Sequence, residues 1–155
     1  MLKFINLITN NYFLKQKLKV TGQSSPVRRL TDNWQGQSEI GKKIIRGKTN
    51  PKLIKDFNKF NFLRDLKAEG SIKSRSIARS LVSNWIDERH NLLSKEFDSQ
   101  IMAERITCWS FNFSWFAESG ELDLQKKILY SIALQIKYLE IKLTETNNHL
   151  SLIHI

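Results

Sequence analysis

Residues 71–88, SIKSRSIARSLVSNWIDE, decide the fold class. Ile77, Ala78, Leu81, Val82, Trp85 and Ile86 recur at i, i+1, i+4, i+5, i+8 and i+9. That spacing gathers them on one face of a helix, whereas a strand would scatter them over both faces. Ser71 is placed to cap this helix, and Gly70 before it suits the C′ position of a preceding one. Lys73, Arg75 and Arg79 are expected to point outward.

Outward from this stretch, the same pattern repeats. Upstream, Asn50-Pro51 reads as a helix start, with Leu53, Ile54, Phe57, Phe60, Leu63 and Leu66 at spacings of three and four. Downstream, Asp98 reads as an N-cap for a helix carrying Met102, Ile106, Trp109 and Phe113, broken by Ser119-Gly120. A last helix is expected over Leu122–Leu143. Its first face is Leu129, Ile132, Ile136, Leu139 and Leu143, and its second is Tyr130, Leu134, Tyr138 and Ile141. Two apolar faces call for neighbours on both sides. The fold class is therefore all-α. Helical hairpins in series suggest stacked pairs forming part of an (α/α) toroid or solenoid, and a four-helix bundle accounts for the same pattern. Ile40–Arg46 predicts a further short helix ended by Gly47. Trp34 is expected to bury against a helix, with Gly36 supplying turn freedom.

The chain of 155 residues carries a formal net charge of +10, unevenly placed. Residues 1–80 hold 18 Lys/Arg against 5 Asp/Glu, and residues 81–155 hold 7 against 10. A basic half invites an anionic partner. Its lysines are scattered, however, and no helix shows a dense basic stripe with base-reading residues, so nucleic acid is not the expected partner. A basic nucleic-acid-binding module and a purely structural interaction module are the alternatives to the enzyme-related reading below. No segment reaches the roughly 18 consecutive apolar residues of a membrane span. Met1–Val20 lacks a small-residue cleavage site, a poor secretory signal that favours the cytoplasm. Cys108 is the single cysteine and reads as a small core residue. No metal-ligand cluster, phosphate loop or paired-carboxylate set is present, so neither metal nor cofactor is expected.

Asn33-Trp34-Gln35-Gly36 with Gly47, then residues 62–70 (FLRDLKAEG), then residues 78–86 (ARSLVSNWI), occur in a telling order. Ala103-Glu104-Arg105-Ile106 through Trp109, and Ser131 to Leu139 with Gln135, continue it. Together, over residues 30–143, they resemble the N-terminal part of bacterial heparinase II/III-like proteins. The resemblance implies an (α/α) toroid joined in the intact protein to a β-sandwich, and polysaccharide lyase activity on an acidic, uronate-containing polysaccharide. Such a reaction neutralises a uronate carboxylate, removes the C5 proton with a Tyr or His base, and expels the 4-linked sugar. It also implies that the base lies in a C-terminal part missing here, so no catalytic residue is assigned. Substrate-binding candidates are Trp109, Asn112 and Trp115, an aromatic platform with an amide, and Asn148-His149, an Asn-His pair after the last helix. Leu150-Ser151-Leu152-Ile153-His154-Ile155 matches the translation of a sequencing-adaptor end. The expected organisation is a basic segment and linker over 1–30, the toroid part over 31–149, and a non-native tail over 150–155.

Overall fold

The computed structural model describes residues 32–54, 56–88 and 92–153, with side chains through 144. The expected basic segment over 1–30 lies outside the described residues. Five α-helices follow in order: α1 (Ser38–Ile45), α2 (Phe62–Glu69), α3 (Ile72–Glu88), α4 (Ser99–Phe116) and α5 (Leu122–Ile153). Short 3-10 turns occupy Pro51–Leu53, Phe57–Lys59 and Lys95–Phe97, and no strand occurs among the described residues. The protein is all-α. No helix among the described residues is long and apolar enough to cross a membrane.

The hairpin between α2 and α3 forms where local chemistry requires it. Gly70 takes the left-handed conformation, φ 80°, and its N–H donates to the Leu66 carbonyl. The Ser71 hydroxyl accepts from the Ser74 N–H at 3.1 Å, and the Glu69 carboxylate accepts from the Ser71 N–H and hydroxyl at 3.0 and 2.6 Å. The hydroxyl hydrogen bond, followed by the backbone one, holds the Glu69 carboxyl below its usual pKa. Capping of this kind stabilises a helix by about 1 kcal/mol. Inward from the cap, Ser74, Ala78, Val82 and Trp85 form the buried face of α3. Arg79 differs from the expected outward cation: its Nε donates to the Phe116 carbonyl at 2.6 Å, closing the end of α4.

On α4, Asp98 caps as expected, accepting from the Gln100 N–H at 3.0 Å. Three polar side chains, Arg105, Asn112 and the thiol of Cys108, share its buried face with Met102, Trp109, Phe113 and Phe116. The last helix runs beyond Leu143 to Ile153. Its inward face is Ile128, Ile132, Gln135 and Tyr138. This corrects the expected pair of faces. Tyr138 turns inward so that its hydroxyl donates to the Leu92 carbonyl at 2.8 Å, while Tyr130, Ile136 and Leu143 are left exposed.

The long helix expected from Asn50-Pro51 to Gly70 is absent. Two 3-10 turns replace its first half, interrupted at Asp56 and Phe60, whose φ values are 61° and 62°. Aromatic packing explains the interruption. On a continuous helix Phe57 and Phe62 would point about 140° apart. The left-handed kink at Phe60 lets these two rings stack at 5.5 Å, nearly parallel. Phe60 itself is fully buried and meets Trp85 and Trp109 edge-on at 5.9 and 5.1 Å. A bulky residue in this conformation costs about 1–2 kcal/mol, and aromatic pairs worth roughly 0.5–1.5 kcal/mol each offset it.

Arg105 is the centre of the core and is fully buried. Its Nε donates to Gln135 Oε1 at 2.6 Å, and one terminal nitrogen donates to the carbonyls of Asn58 and Glu96, both at 2.9 Å. The guanidinium lies over the Trp85 ring at 4.1 Å, and Trp85 Nε1 donates to Asn58 Oδ1. Burial pulls the Arg105 pKa down to about 9, with the Glu96 charge opposing. Among the described residues no carboxylate lies in ion-pair range of it. Arg105→Met should destabilise the fold by about 3 kcal/mol, because it leaves buried acceptors without donors. The exposed Lys52–Glu88 pair, at 2.9 Å, should contribute less than about 1 kcal/mol. Urea denaturation of Arg105→Met and Lys52→Met, compared with the parent chain, checks both values.

Helix α1 lies across α2 with almost nothing between them. A Cβ on Gly41 would stand 2.4 Å from the Asp65 carbonyl oxygen, and one on Gly36 would stand 2.0 Å from that of Arg64. Gly36 is therefore required by close backbone approach, not by turn freedom. Gly36→Ala and Gly41→Ala should each lower stability by about 1–3 kcal/mol. Thermal unfolding by circular dichroism checks this, and an unchanged midpoint would refute the close approach.

Candidate functional site

The loop of residues 32–37, held against α2 and the middle of α4, forms one wall of a cleft of about 350 Å³. Asp32 organises it. One carboxylate oxygen accepts from the Trp34 N–H at 3.1 Å, and the other accepts from Arg64 Nε at 2.8 Å and Asn112 Nδ2 at 3.2 Å. Burial pushes the Asp32 carboxyl up, but the hydrogen bonds from Arg64 and the Trp34 backbone outweigh it and hold the pKa below 3.8. Asp65, the next residue along α2 from Arg64, accepts from the Gln37 N–H at 2.7 Å and so pins the other end of the loop. Burial leaves its own pKa raised, with that hydrogen bond opposing.

Trp34 is 63% exposed, contrary to the expected buried anchor. Its backbone is tied to Asp32, while the indole projects over the Arg64 guanidinium at 5.0 Å with Phe111 at its edge. Lys67 stands one turn along α2 from Arg64 and lines the same cleft. Asn112 reaches it from α4. This side chain is fully buried, and its Nδ2 also donates to the Cys108 carbonyl at 2.9 Å. Its Oδ1 has no hydrogen-bond partner. An exposed indole face and two cations lining one small cleft suit a polar ring that carries negative charge.

The residues expected to bind substrate divide. Asn112 lines the cleft. Trp109 is fully enclosed between Phe60 and Trp85, so it presents no face to a ligand. Trp115 is half-buried beside Phe116 and lies outside the cleft lining. Asn148 and His149 fall within α5 rather than in a loop after it, and their side chains are outside the described part. Sequence reasoning missed Asp32, Trp34, Arg64 and Lys67 as a group. The available signal was Arg64 and Lys67 three apart on one helix, and the Asp-x-Trp turn before a glycine.

A second hollow has its cations already used. The hollow between α3 and α5 contains Arg79 and Lys127, but Lys127 pairs with Asp87 and Ser83, both at 2.7 Å, and Arg79 holds Phe116 and Ser119. Cys108 donates to the Phe60 carbonyl at 3.0 Å, and burial pushes its pKa up to about 12, which leaves no nucleophilic thiolate near neutral pH. No group of three metal-ligating side chains is found among the described residues.

Comparisons of the chain with protein-family models, curated proteins and solved structures find no match.

The Asp32 clamp carries a definite pH signature. Because folding lowers its pKa, its stabilisation is fully present above 3.8 and is lost as pH falls through the lower folded value. Acid titration monitored by tryptophan fluorescence should show this loss below pH 3.8. Asp32→Asn should lack that component and be less stable at neutral pH by about 1–3 kcal/mol.

Proposed function

We propose that this chain is the N-terminal helical part of a heparinase II/III-like protein, its hairpins the opening turns of an (α/α) toroid. The intact protein is then a lyase that cleaves an acidic, uronate-containing polysaccharide by β-elimination, and this chain alone is inactive. The observation that carries the reading is where the residues behind the resemblance fall. Leu63 and Leu66 from the 62–70 stretch, Trp85 from 78–86, Arg105 and Trp109 from α4, and Gln135 from α5 are all buried; Trp85 and Gln135 contact the Arg105 guanidinium, and Trp109 packs edge-on against Trp85. Residues that carry the resemblance in order along the chain thus lie together in the interior, which supports the reading of a shared scaffold. The exposed Tyr130, Ile136 and Leu143 on α5 are what a further hairpin of a toroid would cover.

The resemblance implies a catalytic base outside this chain. Tyr138 is buried against Leu92, Tyr130 lies on α5, and neither lines the cleft. Supplied with acidic polysaccharides, the intact protein should release products with an unsaturated uronate end, followed by their ultraviolet absorbance. Absence of such products from every acidic glycan tested would remove the lyase reading.

A further inference from the structure

We propose that the cleft formed by Trp34, Arg64, Lys67 and Asn112 is a binding subsite for a single uronic-acid residue of an acidic glycan. This rests on the acidic-polysaccharide reading for its ligand class, and on the cleft's own chemistry for everything else. Trp34 offers a flat, exposed indole, the surface on which the C–H face of a pyranose stacks. Arg64 sits beneath that ring at 5.0 Å and is fixed by Asp32 and by Asn61, whose Oδ1 accepts from its terminal nitrogen at 2.7 Å. A pre-fixed cation costs little to order when a ligand arrives.

Charge selects the ligand's valence. Asp32 is the one carboxylate in the cleft lining, and its oxygens are taken by Arg64, Asn112 and the Trp34 N–H. Against Arg64 and Lys67 this leaves a surplus of one positive charge. Lys67 has no carboxylate partner among the described residues, so its ammonium is the group that receives a ligand carboxylate. A monoanion matches this surplus better than a phosphodiester chain, which needs a run of cations. A volume of about 350 Å³ lies at the small end of ligand pockets, fitting a short segment and not an extended strand.

The test is a titration of the 155-residue chain with hexasaccharides of hyaluronan, alginate and polygalacturonate, read by calorimetry and tryptophan emission. A neutral cello-oligosaccharide and a single-stranded DNA hexamer serve as comparisons. At least one acidic hexasaccharide should bind and the neutral one should not. Trp34→Ala and Lys67→Gln should each weaken binding about tenfold, equivalent to about 1.4 kcal/mol, without shifting the thermal midpoint. Binding that ignores both substitutions overturns the proposal, as does failure of all three acidic glycans. Trp34-dependent binding of the DNA alone would reassign the cleft to nucleic acid and equally overturn it. The two readings fail separately. Glycan binding by this chain without lyase activity in the intact protein removes only the lyase. Lyase activity whose KM is unchanged by Trp34→Ala removes only the subsite.

Discussion

A buried guanidinium with no carboxylate in ion-pair range among the described residues constrains everything around it. Arg105 is closed off from water, and protein acceptors from three distant places meet its Nε and one terminal nitrogen: the carbonyl of Asn58, the carbonyl of Glu96 and the side chain of Gln135, while its second terminal nitrogen has no hydrogen-bond partner among those residues. Trp85 supplies its π face as a fourth support from α3. The residues before α2, the turn at 95–97, and helices α3, α4 and α5 are thus fixed relative to one point. Repeat proteins built from stacked hairpins usually tolerate loss of a unit because each unit touches only its neighbours. Here a single charge is shared by both hairpins, so neither completes the core without the other.

What could be read in the sequence was what is local. The face of α3, the Gly70 stop, and the Ser71 and Asp98 caps depend on residues within four positions of one another, and all are present. What could not be read depends on partners far along the chain. Phe60 bends the backbone into the left-handed region because Trp85 and Trp109 surround it. The interior role of Arg105 could not be read locally, because its acceptors lie 47, 9 and 30 residues away. Tyr138 turned out to be an inward residue for the same reason, its acceptor being 46 residues distant. Within the site, Asn112 stood among the substrate-binding candidates beside Trp109 and Trp115, whereas Trp34 did not. An indole beside a glycine reads as an anchor until the Asp32 clamp is seen to hold its backbone and leave its ring outside.

The resemblance and the cleft speak to different parts of the molecule. Arg105, Trp109 and Gln135 are interior residues and bear on architecture alone. Trp34 and Arg64 also belong to the resembling stretches, yet they meet at the surface, over a carboxylate that aligns both the loop and the guanidinium. The loop backbone and the guanidinium are therefore both held by Asp32, which is itself only 2% exposed in its side chain.

The glycines at 36 and 41 give this cleft a property of its own. Where backbone rests on backbone, no rotamer choice intervenes, so the distance between the loop and α2 does not depend on which side chains decorate either surface. The positions bearing Trp34 and Lys67 can then be exchanged during evolution without disturbing the frame that presents them. Such a division separates the side chains that face solvent in the cleft from the backbone contact that sets its width.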